Sequence, residues 1–387
     1  MRKVCVVAAG LAKFGERWES NLRDLAGEAA LRAVAAAKME GKDIQAIYGG
    51  CMASGRLAGQ EHIGALLADQ LGLNPIASTR MEAACASGGV ALRQAYLAIA
   101  SGAYDVVAVG GVEKMTEVSG EEVTDALGGA GDQEWELFHG ATFPALYALM
   151  ARRHMHEYGT TEEMFGAASV KNHANGVHNP YAQFQRAITL EDVMDSGYVA
   201  APLKLLDCSP ITDGAAVVIL TSADVAKKYT DTPVQIIGSA QASDSLALAN
   251  RSTLTGIRAT TVAAQQAFKQ AGLSTKDIDL AEVHDCFSIA ELMALEDLGF
   301  YPKGKAGPAT LEGDTALNAK LSVNPSGGLK ACGHPVGATG VKQVVEAFWQ
   351  LRGEAGKRQV SGAEVALTHN VGGSGATAVV HVFKRGD

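Results

Sequence analysis

Short apolar runs alternate with amphipathic, Ala-rich stretches along the first third of the chain. Apolar runs bounded by turn residues predict buried strands, and apolar positions that recur every three to four residues predict helices. The pattern predicts strands over residues 3–9, 44–49 and 105–110 and helices over residues 21–37 and 88–102. Such alternation favours an α/β fold, in which helices cover the faces of a layered sheet.

The last third of the chain repeats this alternation. The pattern there predicts strands over residues 234–238, 280–284, 365–368 and 376–383 and helices over residues 261–272 and 340–352. Residues 87–90 (SGGV) resemble residues 338–341 (ATGV), and each segment opens a predicted helix after a Gly-rich turn. A repeat of this length favours a duplicated domain, because the repeats of solenoid proteins have far shorter periods.

The middle of the chain has a different pattern. Met, His, Tyr, Asn and Glu become frequent over residues 116–202, and the alternation of strands and helices breaks there. We therefore predict an insertion that packs over the core. Insertions of this size usually carry function.

Composition and charge exclude several classes of protein. Hydrophobic residues make up 47% and charged residues 19% of the 387 residues, an ordinary globular balance. The net charge of −9 argues against a nucleic-acid-binding protein, which needs a basic face. The six cysteines form no C-x-x-C pair and are widely spaced, so we expect neither a metal site nor a disulfide framework.

The hydropathy of the chain also bears on its location. No apolar run approaches the length of a membrane span, and the run near the first residue is too short for a signal peptide. We expect a cytoplasmic protein that binds neither a membrane nor a nucleic acid.

Cys85 has the surroundings that most favour catalysis. It lies among small residues in EAACASGG (82–89), directly before a predicted helix. A thiol at a helix N terminus is close to the positive end of the helix dipole and to free N–H donors. Both stabilise a thiolate, so the sequence predicts a pKa for this thiol below the ordinary value of about 8.5. The alternative is a buried, inert cysteine.

Three further segments offer polar groups at turns or strand ends. His334 lies in a turn rich in Gly and Pro before a helix and is a candidate base for a thiol, or a histidine that caps the turn locally. His284 and Cys286 follow an apolar strand and, being two residues apart, would point the same way. Residues 369–375 (HNVGGSG) form either a turn whose N–H groups stabilise an oxyanion or a plain hairpin turn.

Taken together, these segments resemble the thiolase superfamily over nearly the whole chain, from Lys3 onwards. The motifs that carry the resemblance are ACASG (84–88), GGVEKM (110–115), TDGAA (212–216), HDCF (284–287), GHP (333–335) and the closing Gly-rich turn. Most degradative thiolases have Asn-Glu-Ala-Phe in place of HDCF and a second catalytic cysteine where this chain has Asn370. At both of these positions the chain resembles the sterol-carrier-protein-type thiolases and the archaeal thiolases that work beside 3-hydroxy-3-methylglutaryl-CoA synthase.

The resemblance implies a fold. It is an α/β fold of two duplicated βαβαβαββ halves, which form a five-layered αβαβα core with an inserted loop domain. We expect an N-terminal half over residues 1–233, with the loop domain at about residues 116–202, and a C-terminal half over residues 234–387.

The resemblance also implies catalytic roles. Cys85 would become acylated while His334 takes the thiol proton, and Cys286 would move the proton at the α-carbon of the second substrate. His284 and His334 are the candidate donors to the enolate oxygen. The backbone N–H groups of Cys85 and Gly372 would stabilise the tetrahedral oxyanion. A coenzyme A thioester would be the substrate, with no bound cofactor and no metal.

Residues of the insertion are candidate contacts for this substrate. The candidate phosphate contacts, for which a solvated basic face is the alternative, are Arg152, Arg153, Lys171 and His173. The candidate lining of the acyl pocket is Phe143, Pro144 and Tyr147.

The implied activity is that of an acetyl-CoA C-acetyltransferase, which reversibly condenses two acetyl-CoA molecules to acetoacetyl-CoA and CoA in the mevalonate pathway of isoprenoid biosynthesis. A degradative thiolase for a larger aliphatic or aromatic 3-oxoacyl-CoA and a non-catalytic CoA-binding scaffold subunit are the alternatives. Thiolases are typically homodimers or homotetramers, so a homo-oligomer is expected. The archaeal type also implies two partners: a small zinc-ribbon and OB-fold protein that holds CoA, and 3-hydroxy-3-methylglutaryl-CoA synthase.

Overall fold

Strands and helices alternate in the first part of the chain, as its apolar pattern predicts. The computed structural model describes residues 1–37 and 39–386; Lys38 and Asp387, the last residue of the predicted C-terminal half, lie outside the described residues. The elements before the insertion are β1 (Val4–Leu11), α1 (Leu22–Ala37), β2 (Ala46–Gly50), α2 (Ser54–Leu57), α3 (Ile63–Gln70), β3 (Ala77–Met81), α4 (Ser87–Ser101) and β4 (Val106–Glu113).

The insertion is mainly helical. Its elements are α5 (Gly120–Gly128), α6 (Phe143–Tyr158), α7 (Glu162–Gly176), α8 (Leu190–Asp195), β5 (Tyr198–Ala200) and β6 (Leu203–Lys204). The chain then returns to the core in β7 (Gly214–Ser222) and the short helix α9 (Ala223–Ala226). Among the helices that the structure describes, none is both long enough and apolar enough to cross a bilayer.

The second half follows the same order as the first. Its elements are β8 (Val234–Ser243), α10 (Arg258–Ala271), β9 (Leu280–Glu282), α11 (Ser288–Asp297), α12 (Ala306–Leu311), β10 (Ser322–Val323), α13 (Gly328–Cys332), α14 (Thr339–Arg352), β11 (Val365–Gly372) and β12 (Thr377–Arg385).

The strand order shows the duplication directly. The described strands of the core form one mixed sheet in the order β3-β2-β4-β7-β1-β8-β12-β11-β9-β10. In each half the first strand pairs antiparallel with the fifth, the fifth antiparallel with the fourth, and the second lies parallel between the fourth and the third. The halves meet where β1 pairs with the beginning of β8. Each half therefore has the expected βαβαβαββ order.

The side chains of the sheet divide the core into layers. Along β1, Val4 and Val6 face the central helices α4 and α14, whereas Cys5 and Val7 face α1 on the outside. The outer face of the second half is covered by α10 and α11. A strand buried on both faces is apolar at every position, which is why β1 gives a continuous run in the sequence. The central helices α4 and α14 pack against the strands of both halves, and the outer helices cover the other face of each set of strands. The layers therefore follow the expected αβαβα order.

Two glycines let the central helices touch at their N termini. A Cβ on Gly88 would lie 2.8 Å from the Gly337 carbonyl oxygen and 2.9 Å from the Val341 nitrogen. A Cβ on Gly340 would overlap the backbone of Gly89. Only glycine permits this approach, which brings the turn before α4 and the turn before α14 to the same place.

Candidate active site

Cys85 lies in the tight turn that leads into α4. It comes one residue before Ala86, the N-cap of the helix. The preceding residue, Ala84, has a φ of 52°, a left-handed conformation that non-glycine residues adopt at a cost of about 1–2 kcal/mol. The backbone N–H groups of Gly373 and of Cys85 itself lie near the thiol sulfur and favour its thiolate form. The half-buried thiol therefore lies next to backbone N–H donors and lines a pocket.

The predicted lowering of the Cys85 pKa is wrong. Burial raises the pKa of this thiol to about 12, and the nearby N–H groups of Gly373 and of Cys85 itself offset the rise only in part. The buried carboxylate of Glu113 raises the pKa further. Loss of water around the sulfur thus outweighs the helix N terminus, so the resting group is a thiol that needs a base.

His334 is suited to be that base. Its Nδ1 lies 2.7 Å from the Thr339 hydroxyl, and this hydroxyl donates its single hydrogen to the Pro335 carbonyl oxygen at 3.1 Å. The hydroxyl therefore accepts from Nδ1–H, which leaves a lone pair on Nε2. Burial, aided by the charge of Lys342, lowers the pKa of His334 to about 3. The imidazole is neutral and can accept a proton.

His284 completes a three-residue cluster at the bottom of the pocket. One ligand atom from each of Cys85, His284 and His334 lies within 4.8 Å of the others, and the two imidazoles meet edge-on with centroids 5.1 Å apart. Burial, followed by the nearby His334 and His369, lowers the pKa of His284 well below its ordinary value. A thiolate and two imidazoles are also groups that zinc binds; that no metal binds here stays a prediction.

Cys286 and Tyr147 lie beside this cluster. Burial, followed by the proximity of Cys85, raises the pKa of the Cys286 thiol well above its ordinary value, and a hydrogen bond with Tyr147 lowers it. The Tyr147 hydroxyl has a single hydrogen, which it can donate either to the Cys286 sulfur or to the Gly373 carbonyl oxygen 3.1 Å away, and its ring packs on Phe287 with centroids 4.7 Å apart. The structure therefore brings both cysteines singled out in the sequence to one site.

The cluster opens into a pocket of about 420 Å³. Cys85, Cys286 and His334 lie among its lining residues, and the rest of the lining is mainly apolar. The three candidate acyl contacts, Phe143, Pro144 and Tyr147, all line it. Other apolar side chains that the sequence did not single out include Val123, Leu127, Val199, Leu205, Ile211 and Val336.

Two family models match the chain. One, described as "Thiolase, N-terminal domain", matches residues 4–224, which is more than half of the chain. The other, described as "Thiolase C-terminal domain-like", matches residues 240–385. The chain belongs to the thiolase family.

This thiolase is similar to its relatives over nearly its full length. It is 57% identical over 385 residues to an acetyl-CoA acetyltransferase of Methanothermobacter thermautotrophicus, with 100% of both chains covered. It is 36% identical over 399 residues to sterol carrier protein 2 of Oryctolagus cuniculus, covering 99% of this chain and 72% of that one. A chain of the solved Ltp2-ChsH2(DUF35) aldolase has a TM-score of 0.86 and 28% identity, covering 98% of this chain and 97% of its own. The predicted resemblance to archaeal and sterol-carrier-protein-type thiolases is confirmed.

The predicted oxyanion donor Gly372 lies at the end of β11, opposite Thr377 of β12. The N–H of the next residue, Gly373, faces the Cys85 sulfur. The Gly-rich turn therefore brings backbone N–H groups to the site, and the assignment of the Gly372 N–H to the oxyanion stays a prediction.

Two of the four predicted phosphate contacts have structural partners inside this thiolase. The Lys171 Nζ lies 2.9 Å from the Glu291 carboxylate and donates to the Val323 carbonyl oxygen at 3.0 Å. The buried His173 has its Nδ1 3.2 Å from the Arg186 carbonyl oxygen, and burial lowers its pKa to about 4. The prediction is wrong for both, because the ammonium is already paired and the imidazole is uncharged.

The other two predicted phosphate contacts lie away from the pocket. Arg152 and Arg153 are exposed on α6, and Arg153 pairs with Glu157 at 2.6 Å. The N-terminal turn of α6 carries the pocket residues, and Arg152 follows Pro144 by about 12 Å along the helix axis. No Lys or Arg side chain lines the pocket within residues 1–37 and 39–386.

Glu113 is a site residue that the sequence analysis missed. Its carboxylate accepts hydrogen bonds from the backbone N–H groups of Met52 at 2.8 Å, Ala53 at 3.0 Å and Gly337 at 3.0 Å. It therefore ties a loop of the first half to the turn that carries His334. The sequence does contain a signal for this role, because Glu113 is a lone acidic residue at the end of the apolar strand β4. A fully buried carboxylate needs several hydrogen-bond donors.

Proposed function

We propose that this thiolase is an acetyl-CoA C-acetyltransferase, which converts two acetyl-CoA molecules to acetoacetyl-CoA and CoA through an acetyl-cysteine on Cys85. The proposal rests on one observation above all. A thiol with its own base, a second thiol and a second imidazole meet at the end of one apolar pocket. Acyl transfer through cysteine needs this set of groups.

In the first half-reaction the Cys85 sulfur attacks the acetyl carbonyl carbon while its proton passes to Nε2 of His334. The tetrahedral oxyanion takes hydrogen bonds from backbone N–H groups, of which that of Gly373 lies at the sulfur. The carbon–sulfur bond to CoA then breaks. The CoA thiolate takes a proton from Cys286 and leaves as the free thiol. The Cys286 thiolate remains beside the His334 imidazolium.

In the second half-reaction the Cys286 thiolate removes a proton from the α-carbon of another acetyl-CoA. The enolate oxygen accepts hydrogen bonds from His334 and His284 while the α-carbon attacks the acetyl group on Cys85. A carbon–carbon bond forms and the bond to the Cys85 sulfur breaks. The Cys85 thiolate recovers its proton from His334, so every group returns to its starting state.

The test is a pair of cysteine substitutions assayed for cleavage of acetoacetyl-CoA by CoA. We expect Cys85→Ala to abolish turnover and to remove the acetyl group that intact-protein mass spectrometry finds after incubation with acetyl-CoA. The control is Cys5→Ala, an identical change at a buried thiol on the outer face of β1. Full activity in Cys85→Ala would overturn the proposal. Inactivity of the wild-type protein with every thioester would favour a non-catalytic CoA-binding scaffold.

The size of the pocket supports a second candidate substrate. A cavity of about 420 Å³ with Phe143 and Leu127 in its lining has room for more than an acetyl group. A larger 3-oxoacyl-CoA, aliphatic or aromatic, is therefore the alternative. Steady-state kinetics on 3-oxoacyl-CoA substrates of increasing length decides between them: kcat/KM that rises with length would replace the acetyl assignment.

We further propose that a small CoA-binding protein with a zinc ribbon and an OB fold completes the site. CoA carries phosphates, yet the part of the pocket that the structure describes presents no cationic side chain. The structural neighbour, the Ltp2-ChsH2(DUF35) aldolase, is named for an enzyme together with a second protein. Co-purification from the native host tests the proposal, and a lone homo-oligomer that saturates at micromolar CoA thioester would contradict it. 3-Hydroxy-3-methylglutaryl-CoA synthase stays a predicted partner, and the same co-purification experiment tests whether it binds.

Self-association is the remaining part of the proposal. The edge strand β3 pairs with β2 on one side only among the described strands, and its other edge leaves backbone donors and acceptors for a second chain. We propose a homodimer or homotetramer. Light scattering on the purified protein gives the mass, and a monomer at micromolar concentration would refute this.

A further inference from the structure

Asn370 lies at the centre of the site, near the end of β11, and its side chain has three partners. The amide nitrogen donates to the Cys85 carbonyl oxygen at 3.0 Å, and the amide oxygen accepts from the Gly89 N–H at 3.2 Å. The same nitrogen lies 3.2 Å from Nδ1 of His284. The side chain is buried, so each of these groups depends on the others for its hydrogen bonds.

The two backbone partners fix the orientation of this amide. A carbonyl oxygen can only accept and a backbone N–H can only donate, so the Asn370 nitrogen must face Cys85 and its oxygen must face Gly89. The amide nitrogen has a second hydrogen, which is directed to His284 Nδ1. Since the amide nitrogen cannot accept, Nδ1 must do so, and the imidazole proton has to be on Nε2.

We infer that Asn370 is a positioning residue that selects the Nε2–H tautomer of His284 and so makes this imidazole a hydrogen-bond donor to the reacting thioester oxygen. This inference rests on the proposed function for the identity of the oxygen. It goes beyond that function by assigning a role to the residue that replaces the second cysteine of most degradative thiolases.

The free end of His284 points to the same conclusion. Its Nε2 is buried and has no hydrogen-bond partner among the residues that the structure describes. An unsatisfied buried N–H costs free energy until an acceptor arrives, and the neighbouring Cys85 is where the thioester carbonyl would lie. A donor held ready in this way stabilises an oxyanion more strongly than it stabilises the ground-state carbonyl.

The hydrogen bond at Nδ1 of each imidazole therefore gives the two rings opposite roles at Nε2. The hydroxyl of Thr339 holds the proton of His334 on Nδ1, so that Nε2 accepts. The amide of Asn370 keeps the proton of His284 off Nδ1, so that Nε2 donates. One ring takes the thiol proton while the other, 5.1 Å away, stabilises the developing negative charge.

Neutron diffraction from deuterated crystals shows on which imidazole nitrogen the deuteron lies. In the wild-type protein we expect it on Nε2 of His284. In Asn370→Asp the carboxylate still accepts from Gly89 but offers His284 only an acceptor, so we expect the deuteron on Nδ1. A deuteron on Nδ1 in the wild-type protein would overturn the inference without any variant, and so would one that stays on Nε2 alone in Asn370→Asp.

The kinetic measurement separates positioning from simple damage to the fold. For acetoacetyl-CoA cleavage we expect Asn370→Asp to lower kcat by about 10²–10³-fold, the usual effect of losing one oxyanion donor, with KM within about threefold. The matched control is Asn179→Asp, another buried amide between a backbone carbonyl and a backbone N–H, outside the cluster. We expect it to lower stability without changing kcat of the folded protein; equal losses of kcat in both variants would overturn the inference. If the wild-type deuteron lies on Nε2 but the protein cleaves no thioester, the tautomer assignment stands and the proposed function fails.

Discussion

Gly340→Ala should lower the free energy of unfolding of this protein far more than a glycine-to-alanine change at an exposed position in another helix. A methyl group at this position would overlap the Gly89 nitrogen and the Asn370 amide oxygen and would lie 2.9 Å from the Gly88 carbonyl carbon. Overpacking against backbone costs about 1–3 kcal/mol, and breaking the buried hydrogen bond between Asn370 and Gly89 costs about 1–3 kcal/mol more. The better helix propensity of alanine returns at most about 1 kcal/mol.

The control is Gly120→Ala, in the first turn of α5. A Cβ there meets nothing within 4 Å, and the residue is exposed. Urea unfolding at matched protein concentration should place Gly340→Ala about 1–5 kcal/mol below the wild-type protein, whereas Gly120→Ala should equal the wild-type protein or exceed it by up to about 1 kcal/mol. Thiolysis activity of folded Gly340→Ala should also fall, because the contact sets the distance from Cys85 to His334. Equal stability and equal activity in the two variants would refute the reasoning.

Three further predictions concern the catalytic groups. Alkylation of Cys85 by iodoacetamide should accelerate about tenfold per pH unit from pH 6 to pH 9, because a thiol with its pKa raised to about 12 is protonated over this whole range; a plateau below pH 8 would contradict the assigned direction. Thr339→Val should remove the acceptor of His334 Nδ1–H and lower kcat/KM by about 10²–10⁴-fold in a protein whose circular dichroism is unchanged; near-normal turnover would show that the hydroxyl is dispensable. Tyr147→Phe should keep the ring packed on Phe287 but lower kcat about tenfold, since one hydrogen bond to Cys286 is lost; an unchanged kcat would exclude that role.

The fold was predictable because its strands are buried on both faces. A continuous apolar run such as 4–11 has few alternatives to a core strand, and the strands and helices that were predicted lie within about five residues of the observed bounds. Shorter or less regular elements, such as α3, β3, α11 and β10, were not predicted. The insertion was not predictable in detail. Its helices lie on the surface of the core and bury only part of each face, so the pattern of apolar positions over 116–202 is weak.

The site was predictable in its residues but not in its electrostatics. The sequence identifies Cys85 as the thiol in question, yet burial reverses the expected direction of its pKa, and burial depends on chain segments far away in the sequence. The same reason explains the failure at Lys171 and His173. From the sequence, each of these basic residues is a candidate phosphate contact. In the structure, Lys171 is paired with Glu291 and His173 lies against the Arg186 carbonyl oxygen.

The duplication accounts for how the catalytic groups come to meet. Cys85 and His334 each lie in the turn that opens the helix between the third and fourth strands of its own half. Because both helices lie in the central layer and touch at Gly88 and Gly340, a repeat that builds two equivalent sheets also places a nucleophile beside a base. Burial leaves thiol and imidazole uncharged before substrate binds. Charge then develops only on the reacting thioester, where fixed donors such as the Gly373 N–H are already directed and need no reorganisation.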